Sequence, residues 1–409
     1  MKKRKLLALC LVPALLAGCA APAGVTDLSR QFEAGAPAPP EADPAADAAI
    51  GTLGAELLRA AREPGENTLL SPLSVALALS MTANGAAEDT LAEFEALLGA
   101  DVAALNANAA SLLADYAALG ELHGVLHRRQ PVAGRAAGGQ RIISLPVYGV
   151  LWGPALSGRS GYRRGPPGGE QLGGEVTRGL IPEVLAETPA PETVLLLVNA
   201  LYLKNAWASE FDPLDTRPGD FTAADGSEAE TDFLSNGLRA EQYFAAEGAA
   251  GVVLPYDDGR LGFLAVLPDG ELDAWLETLD GDTLPALLAA AEEERVLLRL
   301  PKFEAEWGGE LKELLAELGL ETAFDPAQAD FSALGTAPDG PLYVSSVVHK
   351  ARIEVNEKGT EAAAATVAGL NGAAAPTDYR ELVLDRPFCY AVVDLERGVP
   401  LFLGTFERP

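Results

Sequence analysis

The chain has 409 residues, 48% of them hydrophobic and 22% charged, which is enough apolar side chain to bury a large core. Its formal net charge is −29 at pH 7, which disfavours nucleic acid or anionic lipid as a binding partner.

The first 18 residues have the pattern of an export signal. The basic cap Met1 to Lys5 precedes an apolar run, Leu6 to Leu16, that is too short to span a bilayer as a mature helix. Leu16-Ala17-Gly18-Cys19 resembles the lipobox of bacterial lipoproteins, which implies that Cys19 is lipidated and becomes the first mature residue. A secretory signal with a chance cysteine is the alternative. We therefore predict a signal peptide over 1–18 and an exported lipoprotein of the cell envelope or cell surface, held to a membrane by its lipid anchor.

Residues 19–46 are predicted to form a flexible tether, because they are rich in Ala, Pro and Gly and have no capacity for a core. Residues 1 to 18 carry four positive charges and no negative ones, so the net charge without them is −33. Cys10 leaves with the signal and Cys19 would be lipidated, which leaves Cys389 alone in an apolar strand. No intrachain disulfide is expected.

The folded domain is predicted to span residues 47–409. Apolar positions recur at helical spacing from Ala48 to Arg62, and Pro64-Gly65 stops the pattern. Ser71 then caps a second helix with Pro72 at its first position, and the almost entirely apolar circumference of that helix predicts burial.

Two strands frame an unusual stretch near the C-terminus. Ala351, Ile353 and Val355 alternate with polar residues, and a second strand is predicted over Glu381 to Asp394. His349 shares the apolar parity of the first strand. A connection of small, uncharged residues of this length is usually functional or disordered. It begins Glu357-Lys358-Gly359-Thr360-Glu361-Ala362-Ala363-Ala364-Ala365-Thr366.

This run closely resembles the hinge of an inhibitory serpin, with hinge positions Glu357, Gly359, Thr360, Glu361, Ala362, Ala363, Ala364, Ala365 and Thr366. The resemblance implies an α+β fold with a large mixed β-sheet, smaller sheets, about eight or nine helices and an exposed reactive-centre loop. In that family the cleaved loop slides between two strands, so side chains of one parity must be small and uncharged. Thr360, Ala362, Ala364, Thr366 and Ala368 meet that demand. A flexible Ala/Gly linker is the alternative.

The resemblance also implies two polar clusters. The shutter, where strands part, comprises Ser71, Ser74, Asn199 and His349; the breach, where the loop first enters, comprises Trp207, Lys302 and Glu357, with Lys302 paired to Glu357. A satisfied core histidine is the alternative for His349, and the shutter role is one version of it. Asn205 stands where the family usually has glycine, and both residue types tolerate positive φ.

Counting sixteen residues from Glu357 by the family's spacing places the reactive bond between Ala373 and Ala374. Cleavage after Leu370 or Ala375 remains open, because loop lengths vary. A small apolar side chain suits a shallow specificity pocket, so the implied partner is an extracytoplasmic serine protease that resembles elastase or a subtilisin and not trypsin.

The window 121–174 departs from the family. It holds 13 glycines, 7 arginines and 2 histidines against 2 acids, a charge of +5, and it lacks the strand and helices that serpins carry there. An out-of-frame read of a GC-rich gene and a genuine divergent insertion both remain open. In the first case we expect the window to be disordered or loosely attached.

No motif of a hydrolase, a metalloprotease, a phosphate loop or a calcium loop is present, so no enzyme activity and no cofactor are predicted. His123 and His127 have the i, i+4 spacing of a metal pair but lack a neighbouring acid, and no metal site is predicted. We expect a monomeric suicide inhibitor. A non-inhibitory serpin and a lipid-anchored solute-binding protein are the alternatives.

Overall fold

The structure, a computed structural model, describes residues 40–118, 142–144, 147–151, 195–334, 341–360 and 378–409. The α-helices within these ranges are α1 (Pro44–Ala61), α2 (Pro72–Ala83), α3 (Glu88–Leu98), α4 (Val102–Ala118), α5 (Leu272–Leu276), α6 (Thr283–Ala290) and α7 (Lys312–Glu317), with a 3-10 helix at Thr322–Phe324. The strands are β1 (Thr68–Leu70), β2 (Ile142–Ser144), β3 (Val147–Leu151), β4 (Leu195–Ala206), β5 (Arg217–Thr222), β6 (Glu228–Ala246), β7 (Ala249–Pro255), β8 (Leu261–Pro268), β9 (Glu292–Pro301), β10 (Phe303–Glu310), β11 (Val344–Val355), β12 (Gly359–Thr360), β13 (Arg380–Val383), β14 (Phe388–Asp394) and β15 (Pro400–Phe406).

These strands form two sheets. One has nine strands in the order β1-β15-β14-β8-β7-β6-β9-β13, with β5 beside β6. The other has six strands: β10, β11 and β4 lie side by side, and β12, β2 and β3 also pair with β4. Both sheets are mixed, because β13 runs parallel to β9 and β11 runs parallel to β4. The predicted α+β class with a large mixed sheet is confirmed. Seven α-helices lie in the described ranges, against the eight or nine expected for the whole chain.

Helix α2 is buried on almost its whole circumference, as its apolar sequence predicts. All of its residues except Met81 are buried. Ser71 is its N-cap and Pro72 occupies its first turn, and the Ser71 side chain accepts a hydrogen bond from the Ser74 backbone N–H at 3.3 Å. The helix contacts α1, α3, α4, β3, β4 and β15, so it links the two sheets.

Helix α1 begins earlier than the sequence pattern predicts. It starts at Pro44, inside the range predicted to be a tether, because the Asp43 side chain caps it by accepting from the backbone N–H groups of Ala45 and Ala46. Asp47 in its first turn is buried and forms an ion pair with Arg397 at 2.7 Å. The folded domain therefore includes residues 44–46.

The anomalous window contributes strands to the sheet, contrary to the expectation that it lacks one. Ile142–Ser144 and Val147–Leu151 both pair antiparallel with β4. Their Ile and Val residues favour an extended backbone, which is a local reason for the pairing. The strand predicted over Glu381 to Asp394 is in fact two strands, β13 and β14, separated by residues 384–387.

No helix among the described residues is by itself long and apolar enough to cross a membrane. Glu88–Leu98 and Val102–Tyr116 meet the length and composition requirement only as a pair, with a bend of 47° between them.

Candidate functional site: the hinge and the strands beneath it

The two strands that would have to separate for a loop to enter the sheet are direct neighbours. β11 pairs in parallel with β4 over Val344 to Arg352, and His349 lies opposite Asn199 in this register. Towards the C-terminal end of β11 this pairing stops, while β4 continues to Ala206. The last residues of β4 are therefore free of β11.

The predicted hinge occupies that free end. Gly359 and Thr360 form β12 and pair antiparallel with Ala206 and Asn205 of β4. The Thr360 side chain is fully buried, and its Oγ1 donates to the Asn205 carbonyl at 3.3 Å. The first residues of the predicted hinge thus already lie as a strand on β4.

Gly359 is required there by close backbone approach. Its φ is +145°, and a Cβ atom would lie 2.1 Å from the Asn205 carbonyl oxygen and 2.7 Å from the Ala206 Cα. Both contacts are far below van der Waals distance and both involve backbone, which cannot move aside. Any side chain at position 359 would force β12 off β4.

Trp207, the predicted breach tryptophan, closes the end of this slot. It is 3% exposed, and its Nε1–H donates to the Asn356 carbonyl at 2.8 Å. Its backbone N–H donates to the Lys358 carbonyl at 2.9 Å. The indole stacks on Tyr256 with ring centroids 4.9 Å apart, and Phe211 and Phe263 meet it edge-on. The turn that precedes β12 is therefore bonded to both the ring and the backbone of Trp207.

The predicted ion pair between Lys302 and Glu357 is present. Lys302 Nζ lies 3.1 Å from Glu357 Oε2, and Thr216 Oγ1 donates to Glu357 Oε1 at 3.0 Å. Burial acts to raise the pKa of the Glu357 carboxyl, but its own backbone N–H, Lys302 and Thr216 outweigh burial and hold that pKa below its usual value. The carboxylate is charged at neutral pH and fixes the base of the loop.

Three of the four predicted shutter residues meet at the N-terminus of α2. The Ser71 backbone N–H donates to His349 Nε2 at 3.1 Å, and Ser74 Oγ donates to the Ser71 carbonyl at 3.1 Å. All three residues are fully buried. Because Nε2 accepts, the proton of the neutral imidazole is on Nδ1, for which no partner is found among the described residues.

Burial lowers the pKa of His349 to about 3. The unfolded chain would bind a proton at about pH 6.5, whereas the folded chain does not until about pH 3. Acid therefore favours the unfolded state, so this residue costs stability as the pH falls below about 6.5.

Two predicted positions differ from the expectation or are described only in part. For Asn199 the structure describes the backbone, which lies opposite His349 on β4. Asn205 does not have positive φ; it lies in β4, where its Oδ1 accepts from the Ala206 N–H at 3.1 Å and its Nδ2 donates to Asp258. The side-chain amide of Asn205 thus forms hydrogen bonds, and its backbone is not in the left-handed region.

Several predicted positions lie outside the described residues. They are the signal peptide 1–18, Cys19, the hinge residues Glu361, Ala362, Ala363, Ala364, Ala365 and Thr366, and the predicted reactive bond between Ala373 and Ala374.

The sequence reasoning missed Thr216, which bonds Glu357, and it gave no role to Asn356, whose carbonyl binds Trp207. No local pattern marks Thr216, because its partner is 141 residues away. Among the described residues there is no group of three His, Cys, Asp or Glu side chains that could hold a metal ion.

Comparison with known proteins shows to which family the chain belongs. The model of the family described as "Serpin (serine protease inhibitor)" matches residues 48–131 and 173–409, which is most of the chain. This chain belongs to the serpin family. The interval that the serpin model leaves unmatched, 132–172, lies inside the anomalous window 121–174.

Individual serpins are similar over large parts of the chain. Serpin-ZXA of Oryza sativa subsp. japonica is 35% identical over 246 residues, which cover 58% of this chain and 61% of that protein. The crystal structure of tengpin, a thermophilic serpin, in its native state has a TM-score of 0.79 at 27% identity and covers 94% of this chain and 100% of tengpin. Tengpin in its latent state has a TM-score of 0.69 at 25% identity and covers 90% of this chain and 98% of tengpin.

Proposed function

We propose that this serpin inhibits a serine protease as a suicide substrate, by cleavage of its reactive loop and insertion of the loop between β11 and β4. The observation that carries the proposal is the position of Gly359 and Thr360. They already form a strand on β4, with two residues of β4 between this strand and the point where the pairing with β11 ends. A loop released by cleavage would continue from Thr360 along β4 in the same antiparallel register.

Insertion would exchange one set of strand contacts for a larger one. Eight register pairs between β11 and β4 would separate. A new strand between them would pair with β4 on one side and β11 on the other, so more backbone hydrogen bonds form than break. Each is worth about 0.5–1.5 kcal/mol net, and the buried parity from Thr360 to Ala368 carries only small side chains. The gain would drive the attached protease away from its productive position.

The same reasoning supports a target class. The bond between Ala373 and Ala374 follows the family spacing from Glu357, which the structure fixes at the base of the loop through Lys302 and Thr216. Alanine before the scissile bond suits an elastase-like or subtilisin-like protease with a shallow pocket. Because the signal and Cys19 support an exported lipoprotein, the partner would be extracytoplasmic.

The test compares two arginine substitutions in the hinge. Thr360→Arg places a charge at a position that is already buried against β4, whereas Ala363→Arg places the same charge on the opposite parity, which would face solvent after insertion. On incubation with an elastase, the parent and Ala363→Arg should give an SDS-stable complex and a fragment that begins near Ala374. Thr360→Arg should be cleaved at the same bond without a stable complex.

Two results would contradict the proposal. Stable complex formation by Thr360→Arg at the parent's rate would show that strand insertion is not the mechanism. Cleavage of the parent by both elastase and subtilisin without any complex would favour a non-inhibitory serpin. Family membership already favours an inhibitor over a solute-binding protein, whose function needs no hinge.

A further inference from the structure

Trp307 covers the buried shutter histidine from the edge of the sheet. It lies on β10, where it pairs with Ala351 of β11, and Gly309 two residues later pairs with His349. Residues directly opposite each other on paired strands share a face, so Trp307, Gly309 and His349 are on the same face of the sheet. The indole and imidazole ring centroids are 5.9 Å apart with an angle of 42° between the planes.

The indole fills the space that a side chain at position 309 would take. A Cβ atom on Gly309 would lie 2.9 Å from Cη2, 3.2 Å from Cζ2 and 3.5 Å from Cζ3 of Trp307. The missing side chain directly opposite His349 is therefore replaced by the Trp307 ring, which reaches over from the next position on that face. Among the described strands, β10 is the edge strand on this side of the sheet; Trp307 is half-buried there and His349 is fully buried, so the ring lies between His349 and solvent.

Among the residues that the structure describes, no charged group shares this face with His349. Helix α2 (PLSVALALSMTA), β1 (TLL) and the 3-10 helix Thr322–Phe324, which packs on β11, have no ionisable side chain. The acids of β10 alternate to the other face, where Glu304 pairs with Arg352 and Glu306 with Lys350. In β4, Tyr202 lies opposite Arg352, and Lys204 has the same parity as Tyr202. Neither position therefore has the parity of Asn199, which lies opposite His349. Exclusion of water is therefore the means by which this site keeps the imidazole neutral.

We propose that Trp307 is a positioning residue of the shutter, which keeps water from His349 and holds its imidazole neutral and bonded to Ser71 until β11 separates from β4. The indole performs this role only because position 309 is glycine. Its consequence for inhibition rests on the proposed loop insertion: a hydrated, protonated His349 would lose the bond to Ser71 and weaken the closed sheet.

The test measures the titration of His349 directly. The chain contains only three histidines, His123, His127 and His349, so the imidazole signal can be followed by NMR in histidine-labelled protein and assigned with His349→Gln. In the parent the His349 signal should show no protonation between pH 7 and about 4. In Trp307→Ala the titration should move up by about one pH unit or more, towards the ordinary value for histidine.

A second variant distinguishes covering the imidazole from general stabilisation. In Trp307→Ala/Gly309→Leu a leucine side chain enters the same space from the position opposite His349, where the backbone φ is not positive. The titration should return towards that of the parent. Trp275→Ala is the matched control, because Trp275 is a buried tryptophan in α5 whose Nε1–H donates to the Glu247 carbonyl, and its loss should leave the His349 titration unchanged.

An unchanged His349 titration in Trp307→Ala, or no return in the double variant, would overturn the proposal. If Trp307→Ala does not fold, Trp307→Leu replaces it, and the His349 titration should still move up relative to the parent; an unchanged titration would equally overturn the proposal. The NMR measurement needs no protease. It can therefore fail while the inhibitory function holds, and it can succeed in a serpin that forms no complex.

Discussion

Gly359 is the residue on which docking of the hinge depends. The slot on β4 is bounded by backbone atoms of Asn205 and Ala206, and Thr360 can bury its side chain only because Gly359 approaches them closely. The same segment is tied to Trp207 and, through Glu357, to Lys302 and Thr216. One small residue thus sets where a strand begins.

Gly359→Ala should displace β12 from β4 and delay loop insertion. Since insertion then competes less well with hydrolysis of the cleaved loop, more inhibitor should be consumed for each protease inactivated, by about threefold or more. Stoichiometry of inhibition measures this. Gly270→Ala is the control, because a Cβ there meets nothing within 4 Å and the φ of Gly270 is not positive. Equal stoichiometry for the two variants would show that docking of the hinge is not needed.

Helix α2 and strand β11 meet at one hydrogen-bonded junction. The helix begins at Ser71, and the backbone N–H of this capping residue donates to His349 of β11. The helix also packs on α1 and on β15 of the nine-stranded sheet, so it connects the two sheets. The start of this helix and the position of β11 are therefore coupled through this hydrogen bond.

Ser71→Ala should destabilise the native protein through loss of the helix cap. The hydroxyl satisfies the Ser74 N–H, and loss of an N-cap costs about 0.5–2 kcal/mol. Ser80→Ala in the same helix is the control: its hydroxyl donates to the Ala76 carbonyl at 2.7 Å, which is already a helical acceptor, so little is lost. Thermal unfolding of the native form compares them. A decrease for Ser80→Ala as large as for Ser71→Ala would argue against the cap.

The molecule as a whole is strongly acidic, and a short segment of chain joins the proposed anchor to the first helix. Residues 20–43, 24 in number, separate Cys19 from the first helical residue, Pro44. At about 3.3–3.6 Å per residue such a segment reaches at most about 80–90 Å. A lipid anchor would thus keep the loop near a membrane, and the negative charge of the domain would hold it off anionic lipid.

Cys19→Ser should release the protein into the soluble fraction after export or stall its processing, because the Cys19 thiol is the proposed site of lipid attachment. Membrane fractionation and immunoblotting measure this. Cys10→Ser is the control: Cys10 lies in the proposed signal peptide, so its substitution should leave membrane association unchanged. A parent protein that is fully soluble after export would refute the anchor.

Features set by nearby residues were predictable from the sequence. The cap at Ser71-Pro72, the buried α2, the inward parity of His349 and the small residues of the hinge each depend on a few neighbouring side chains, and for that reason a pattern reveals them. The pairing of Lys302 with Glu357 came from resemblance to the serpins and not from any local signal.

Other features were decided only when distant segments packed together. Thr216 bonds Glu357, Asp47 of α1 pairs with Arg397, and the Trp307 ring lies beside His349 in the space next to Gly309. Most of all, the tertiary structure decides that β11 lies against β4. The small residues after Thr360 are compatible with a loop outside the sheet and with a strand within it, because small side chains fit both arrangements. They differ in which backbone groups bond to β4, and that depends on how the whole sheet is assembled.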